Sequence, residues 1–380
     1  MRLILFCLCL CTALALSAQN QCLSERYSNS PIFTDEEVVV ASNVEYAVAT
    51  HQLTGVEQSL KLDVWMPDPG IDPVANRPLI VMIHGGGFQS GSRNEMNFMC
   101  NEFAKRGFVA ATITYRLGWG CDPNAGIFIC GVCGGLNNAI RTAAYNAVQD
   151  AHAALRFLVS EQDVYGIDEQ WVFVGGQSAG SITALCTTFL DQQEANAFAP
   201  NAEATSGGLF TSGNDLNVDV TIRGVVNDCG AVPNVSVLEG ATIPVISFHD
   251  DGDCVVPYGS GYLLGCLGCT SFPTAHGSSL IYQSLTANGI CSELNTVQLS
   301  LGHCTWPQLS LVSRASCFMK REMCGLCTSG MNVDTNAVPP CASLGIQPSI
   351  SCQADFNGDG LVNVSDMLEF LNYFGNPCAP

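Results

Sequence analysis

Trp171-Val172-Phe173-Val174-Gly175-Gly176-Gln177-Ser178-Ala179-Gly180-Ser181-Ile182 decides how this chain is read. A short apolar run at 171–174 predicts a strand, and the pattern over 178–190 predicts a helix. A strand that turns this sharply into a helix forces unusual backbone angles on the residue at the apex, and flanking glycines relieve the crowding. Ser178 occupies that apex, displayed above a sheet with a helix N-terminus beneath it, where developing negative charge is favoured. In a Gly- and Ser-rich loop the same five residues, GQSAG, would be only a turn. The strand before them and the helix after them predict a nucleophile.

Outward from this elbow the pattern is regular. Residues 60–66 alternate apolar and polar, as a half-buried strand does, while 79–83 and 108–114 are continuous apolar or β-branched runs expected of strands covered on both faces. Helical spacing fills 96–106 between them. Residues 143–159 carry the apolar stripe Ala147, Ala151, Ala154, Leu155 and Leu158. Beyond the elbow, strands are predicted at 222–226, 243–248 and 297–301, with a helix over 274–287. Such alternation predicts an α/β fold with an open, mostly parallel sheet and helices on both faces, its site at the carboxyl ends of the strands. Residues 117–138, rich in Gly and Cys, are read as an insertion near the substrate entrance, and 201–219 as a lid.

A serine hydroxyl needs a base. Behind a serine elbow the acid and then the histidine follow in chain order, which leaves His276 and His303 of the six histidines. His276 falls inside the predicted helix. His303 follows a predicted strand, in Leu301-Gly302-His303-Cys304-Thr305-Trp306-Pro307, where a loop would project it over the sheet. The acid belongs at the end of the strand 243–248, where His249-Asp250-Asp251-Gly252-Asp253-Cys254 offers three aspartates. Asp253 is assigned, with Asp251 second; Asp250 and Asp251 suit a turn that hydrogen-bonds local amides. The run 79–83 leads into His84-Gly85-Gly86-Gly87-Phe88, where amides of Gly85 and Gly86, with that of Ala179, would receive an oxyanion. His84 is read as a brace for this loop. If Asp253 and His303 share a hydrogen bond, their neighbours Cys254 and Cys304 come within disulfide reach, and that bridge is expected.

Leu62-Asp63-Val64-Trp65, HGGGF, Tyr115-Arg116-Leu117, the run from Gln149 through Asp150 and His152 to Arg156, Tyr165-Gly166-Ile167-Asp168 and GQSAG together resemble the esterase/lipase branch of the α/β-hydrolase family, nearest to carboxylesterases and feruloyl and acetyl-xylan esterases. The resemblance covers residues 60–311. It implies an α/β-hydrolase fold and hydrolysis of carboxylic esters through an acyl-enzyme, with no catalytic cofactor. The family's nucleophile, acid, base and oxyanion glycines fall on Ser178, Asp253, His303, Gly85 and Gly86. The run at His303 also resembles polyhydroxybutyrate depolymerases. GQSAGS in place of GxSAGG and the Cys-rich insertion depart from the pattern and bear on specificity. Arg116, Asp150 and Arg156 are read as a structural network tying helix to strand.

The formal net charge of -20 argues against nucleic acid or anionic membrane surfaces, which need Lys and Arg to meet phosphate. Arg2 followed by the apolar run 3–16, with Ser17 and Ala18 behind it, predicts a signal peptide over 1–18 and secretion, with no membrane span after cleavage. Cleavage removes Cys7, Cys9 and Cys11 from the 21 cysteines, leaving an even 18, which in an exported chain reads as disulfides. The CxxC pairs Cys130/Cys133, Cys266/Cys269 and Cys324/Cys327 are therefore read as disulfide cysteines ahead of zinc ligands.

The catalytic domain is assigned to 19–330, a Pro/Ser/Asn-rich linker to 331–353 and a compact tail to 354–380. The tail runs Asp355-Phe356-Asn357-Gly358-Asp359-Gly360-Leu361-Val362-Asn363-Val364-Ser365-Asp366. Asp355, Asn357, Asp359, the Leu361 carbonyl, Asn363 and Asp366 have the spacing of a Ca2+ loop. The unit is similar to half of a type I dockerin. Dockerins carry two such repeats and this chain has one, which leaves a cohesin-like partner and a sorting role both open. The resulting expectation is a secreted serine esterase acting on acyl or feruloyl esters of polysaccharide. Polyester or lipid esterase, serine peptidase and inactive adhesion module are the competing readings.

Overall fold

The computed structural model describes residues 22, 24–119, 137–268, 270, 272–337 and 341. The signal segment 1–18, Cys130 and Cys133, Cys269 and the calcium loop 355–366 lie outside the described residues. Two compact units divide the chain, Glu25–Cys341 and a second formed by Met1–Ser24 with Ala342–Pro380, of which only Cys22 and Ser24 are described.

In chain order the strands of the Glu25–Cys341 unit are β1 (Val38–Thr50), β2 (Glu57–Pro67), β3 (Arg77–Ile83), β4 (Val109–Ile113), β5 (Ile167–Gln177), β6 (Ile222–Asp228), β7 (Ala231–Val232), β8 (Val245–Asp250), β9 (Ser260–Tyr262), β10 (Thr274–Gly277), β11 (Ser292–Val297) and β12 (Gly330–Asn332). The principal helices are α1 (Asn97–Ala104), α2 (Asn137–Ser160), α3 (Ala179–Phe189), α4 (Ser278–Ala287) and α5 (Gln308–Met323). Nine strands form one sheet in the order β1-β2-β4-β3-β5-β6-β8-β11-β12, and β7, β10 and β9 form a small second one. β1 and β2 and the β2–β4 pair run antiparallel; from β4 to β12 every pairing is parallel. This is the expected α/β-hydrolase fold.

β3 shows why its run is apolar throughout. Leu79, Val81 and Ile83 enter one core with α2, α3 and α4, while Ile80 and Met82 enter the other with α1 and α5. Side chains alternate across a strand, so a strand covered on both faces has no polar positions to spare. The stripe Ala147, Ala151, Ala154, Leu155 and Leu158 on α2 is buried as expected. No helix among the described residues is long and apolar enough to cross a membrane.

Several expectations need correction. The last predicted strand, 297–301, is displaced: β11 ends at Val297, and Leu299 and Leu301 stand 98% and 85% exposed. The helix predicted over 274–287 starts at Ser278, and Thr274–Gly277 is β10. The assigned linker begins inside the domain: Gly330–Asn332 pairs with β11, and Cys341 is bridged to Cys317 on α5. The segment 201–219 is no lid. Tyr145, Gln149 and Arg156 of α2 donate to the carbonyls of Gly207, Ser206 and Ser212, which lace this segment along the helix. The Arg116–Asp150 pair does tie the exit of β4 to α2, with Arg116 Nη2 2.7 Å from Asp150 Oδ1. Arg156 stands apart from it, bound to Phe210 O, Ser212 O and Asn214 Oδ1.

Candidate active site

β5 ends at Gln177 and α3 begins at Ala179, so Ser178 alone makes the turn, at φ 55° and ψ -120°. That strained conformation in a non-glycine residue persists only because its surroundings hold it. They do so by close packing. A Cβ at Gly180 would lie 2.0 Å from the carbonyl oxygen of Ile83, and one at Gly176 would lie 2.4 Å from the backbone of Gly180. The two glycines let the start of α3 press on the end of β3, which aims the serine upward. Ser178 N–H donates to Asp228 O at the end of β6 (2.8 Å).

The loop after β11 brings His303 over this serine. Its Nε2 lies 2.8 Å from Ser178 Oγ and its Nδ1 lies 2.6 Å from Asp253 Oδ2. Asp253 Oδ1 accepts the backbone N–H groups of Val255 (2.8 Å) and Val256 (3.2 Å). Burial would raise the Asp253 carboxyl, but hydrogen bonds from His249 and His303 outweigh it and hold the group at about 2. An ionised Asp253 accepts the Nδ1 proton, leaving the Nε2 lone pair to take the serine hydroxyl. His276, the other candidate base, sits on β10 opposite Val232 and Ser260, away from Ser178.

Asp250 and Asp251 act on the base loop instead. Asp250 accepts Ser300 Oγ (2.5 Å), Thr305 N (3.0 Å) and Thr305 Oγ1, on both sides of His303. Asp251 accepts the N–H groups of Leu299 and Ser300 at 2.9 and 3.1 Å. The expected Cys254–Cys304 bridge is absent. Cys254 pairs with Cys266, because the chain folds back after the acid and Cys266 N bonds Cys254 O (3.2 Å). Cys304 pairs instead with Cys229, next to Asp228 (Cα–Cα 5.2 Å). Cys327 pairs with Cys291, so two of the CxxC pairs contribute a cysteine to a disulfide outside the pair and not to a zinc site. Cys100 and Cys186 are free and buried.

Gly85, Gly86 and Ala179 line one cavity with Ser178 and His303, of about 420 Å³. Gly85 O is bound by the His84 ring (2.9 Å) and Tyr115 OH (3.2 Å), and Gly86 O by Gln89 N and Ser90 N. In a trans peptide the following N–H points the opposite way, so the amides of Gly86 and Gly87 face away from these anchors. His84 is fully buried, stacks on Tyr115 and is lowered to about 4 by burial. It is the neutral brace expected. Ile140, Ile182, Val255, Val256, Leu263 and Leu264 make the remaining wall mainly apolar. A larger groove of about 960 Å³, lined by Phe210–Ile222 and α2, contains none of the three site residues.

No local motif in the sequence marks Asp228, yet it stands beside Ser178. It is buried, accepts Gln177 Nε2 at Oδ2 (3.0 Å) and has no partner for Oδ1 among the described residues. Burial, opposed by Gln177 and His303 and helped by Asp250 and Asp253, pushes its carboxyl up to about 7. The unfolded chain ionises this group near the ordinary 3.8, so the fold loses stability as pH rises from there to about 7 and carries the full cost above it. Asp228→Asn is expected to raise Tm at pH 8 by roughly 3 °C or more, with little change at pH 4. Calorimetry finding an equal gain at both pH values would contradict this.

A family model described as the carboxylesterase family matches residues 14–211, more than half of the 380 residues. The chain belongs to the carboxylesterase family. Among its relatives, phenmedipham hydrolase of Pseudarthrobacter oxydans is 36% identical over 132 residues, 34% of this chain and 23% of that protein. Neuroligin-like protein glit-1 of Caenorhabditis elegans is 32% identical over 125 residues, 33% of this chain and 15% of that protein. The match thus spans less than a quarter of either relative's length. A propionate-bound esterase, Est2, of the planctomycete Thermogutta terrifontis aligns with a TM-score of 0.44 at 21% identity, covering 70% of this chain and 85% of that one.

Proposed function

We propose that this carboxylesterase-family chain is a secreted serine carboxylic-ester hydrolase working through an acyl-enzyme. One observation carries the reading: the continuous hydrogen-bonded line from Ser178 Oγ through His303 to Asp253, at 2.8 and 2.6 Å, beside an apolar cavity. In this mechanism Ser178 attacks the ester carbonyl while His303 Nε2 takes its proton. The tetrahedral oxyanion is received by the backbone amides of Gly86 and Gly87, which face away from the anchored carbonyls, and of Ala179. Its collapse breaks the ester C–O bond, and His303 returns the proton to the departing alcohol. Water, activated by the same ring, then releases the acid and restores Ser178.

The cavity size fits an acyl group of small or moderate size. Among the described residues Glu95 is the one carboxylate on its wall, which favours neutral substrates. Disulfides such as those at Cys229, Cys254, Cys291 and Cys317 support export of the chain. In this reading 1–18 is the signal peptide, the catalytic domain starts at 19 and extends to Cys341, and the tail 354–380 holds Ca2+ through Asp355, Asn357, Asp359, Leu361, Asn363 and Asp366. A dockerin-like tail favours polysaccharide-linked acyl or feruloyl esters as substrates.

The test is a p-nitrophenyl ester series run beside acetylated xylan, methyl ferulate, polyhydroxybutyrate and aminoacyl nitroanilides. Butyrate is expected to exceed palmitate in kcat/KM by about 10-fold or more, since acyl carbons beyond the cavity gain little. No turnover of any ester would overturn the proposal.

A further inference from the structure

Asp253 touches a second histidine. His249, at the end of β8, places Nε2 3.3 Å from Asp253 Oδ2 and 3.0 Å from Val256 O. Its Nδ1 lies 2.7 Å from Ser278 Oγ, the first residue of α4. Ser278 in turn meets Asn227 Nδ2 at 2.9 Å, and Asn227 also meets Ser247 Oγ (2.9 Å), Ser181 Oγ (2.6 Å) and Gly230 N (2.8 Å). These residues lie in the buried interior, His249 at 1% exposure and Ser278 and Asn227 at 0%.

Proton positions along this line follow from the groups at its two ends, Gly230 N–H at one and the acceptors around His249 Nε2 at the other. Gly230 N–H can only donate, so the Asn227 atom it meets is the carbonyl oxygen. Asn227 Nδ2 then spends its two hydrogens on Ser247 Oγ and Ser278 Oγ. His249 Nε2 faces only acceptors, Val256 O and Asp253 Oδ2, and so holds the ring proton; Ser278 Oγ, which accepts from Asn227 Nδ2, then gives its own hydrogen to Nδ1. A buried donor or acceptor left without a partner is costly, which excludes the other tautomer.

We propose that His249 is a positioning residue for Asp253: the carboxylate is held by the N–H groups of Val255, Val256 and His303, and the His249 Nε2–H, which donates to Val256 O, faces its Oδ2 from 3.3 Å. The inference rests on the esterase reading above. Its consequence is specific: with two backbone donors on Oδ1 and the His249 N–H dipole 3.3 Å from Oδ2, the negative charge of Asp253 is partly offset, and the pull on the His303 proton is moderated. The titratable groups around the pair are His303 on the base loop, Asp250 at the end of β8, Asp228 at the end of β6 and Tyr258, whose ring meets His249 edge-on.

The test uses the whole protein and the variants His249→Phe, His249→Gln and Ser278→Ala. His249→Phe is expected to lower kcat about 10- to 100-fold, as small misplacements of catalytic groups do, with KM nearly unchanged. It also concentrates charge on Oδ2, so the acid limb of the kcat/KM profile moves up by about half a pH unit. His249→Gln, which keeps an N–H donor, should return the limb toward wild type. Ser278→Ala leaves the ring in place and should produce a smaller shift of the same sign, which covers the case in which His249→Phe does not fold. The downfield proton resonance of His303 Nδ1–H, read without substrate, should move in His249→Phe. Folded variants with wild-type profiles and an unmoved resonance would overturn the inference. A wild-type protein that hydrolyses no ester, yet whose resonance moves in His249→Phe, would overturn the esterase reading and leave the His249 assignment standing.

Discussion

Ser178→Ala is expected to lower kcat on p-nitrophenyl butyrate by about 10⁶-fold, the scale on which removing the nucleophile of a serine triad acts. The alanine keeps the packing, because the close contacts at the elbow belong to Gly176 and Gly180 and not to the serine side chain. The apolar wall and the amides at Gly86, Gly87 and Ala179 also survive, so substrate affinity should change little. A small residual rate over solution hydrolysis is expected from those amides and from binding alone. The measurement is kcat for purified wild type and variant, with folding verified by the thermal transition. A variant retaining more than about one part in 100 of wild-type kcat would require another nucleophile, contrary to the triad arithmetic.

Asp253→Asn should cost about 10⁴-fold in kcat, and the structure shows why relief is closed off. Asp253 Oδ1 is fixed by the N–H groups of Val255 and Val256, so an asparagine must place its oxygen there and its NH2 at the Oδ2 position. That NH2 would face His303 Nδ1 and demand a lone pair from it. The ring proton then moves to Nε2, where it points at Ser178 and blocks proton abstraction. The same NH2 would also confront the Nε2 side of His249 at 3.3 Å, so this substitution sets two donors against each other. Stability responds with a definite sign. The depressed carboxyl of Asp253 stabilises the fold above the ordinary 3.8 and ceases to do so as pH falls through about 2. Asp253→Asn should therefore be less stable than wild type at pH 6, with the difference shrinking toward pH 2. A loss in kcat below about 100-fold would remove Asp253 from its orienting role, whatever the change in stability.

The elbow, the glycine turn before it and the histidine loop were legible because each is local: a glycine, a serine or a histidine at a strand end has one geometric use there. β11 was misplaced for a physical reason. Its buried residues include Ser292, Glu293, Asn295 and Thr296, and a strand rule that seeks apolar runs passes over them. Glu293 is tolerated inside because Arg314 and Arg321 bind its two oxygens at 2.7 and 2.6 Å, partners that lie on α5 and are invisible in the strand itself. The rule settled on Val297, Leu299 and Leu301 instead, two of which face solvent. Disulfide pairing was equally out of reach. That Cys304 meets Cys229 depends on β6 and the base loop ending at the same rim. His249 carried a faint local signal, a histidine four residues before the acid at the end of a strand. Its proton, however, is settled by groups the strand does not contain, Val256 O and Asp253 at Nε2 and the Ser278–Asn227 line at Nδ1.

The Cys229–Cys304 bond also alters how the sheet can breathe. It closes a ring of 75 residues in sequence separation that carries β8, the acid loop, α4 and β11. Such a closure removes about 4 kcal/mol worth of freedom from the open chain in the simple entropic description. If the half of the sheet beyond β6 comes apart transiently, the histidine stays tethered one residue from the strand that abuts Ser178. Bringing Ser178, His303 and Asp253 back together is then a short local search from a fixed anchor point, and the damage of partial opening stops at the doorstep of Ser178.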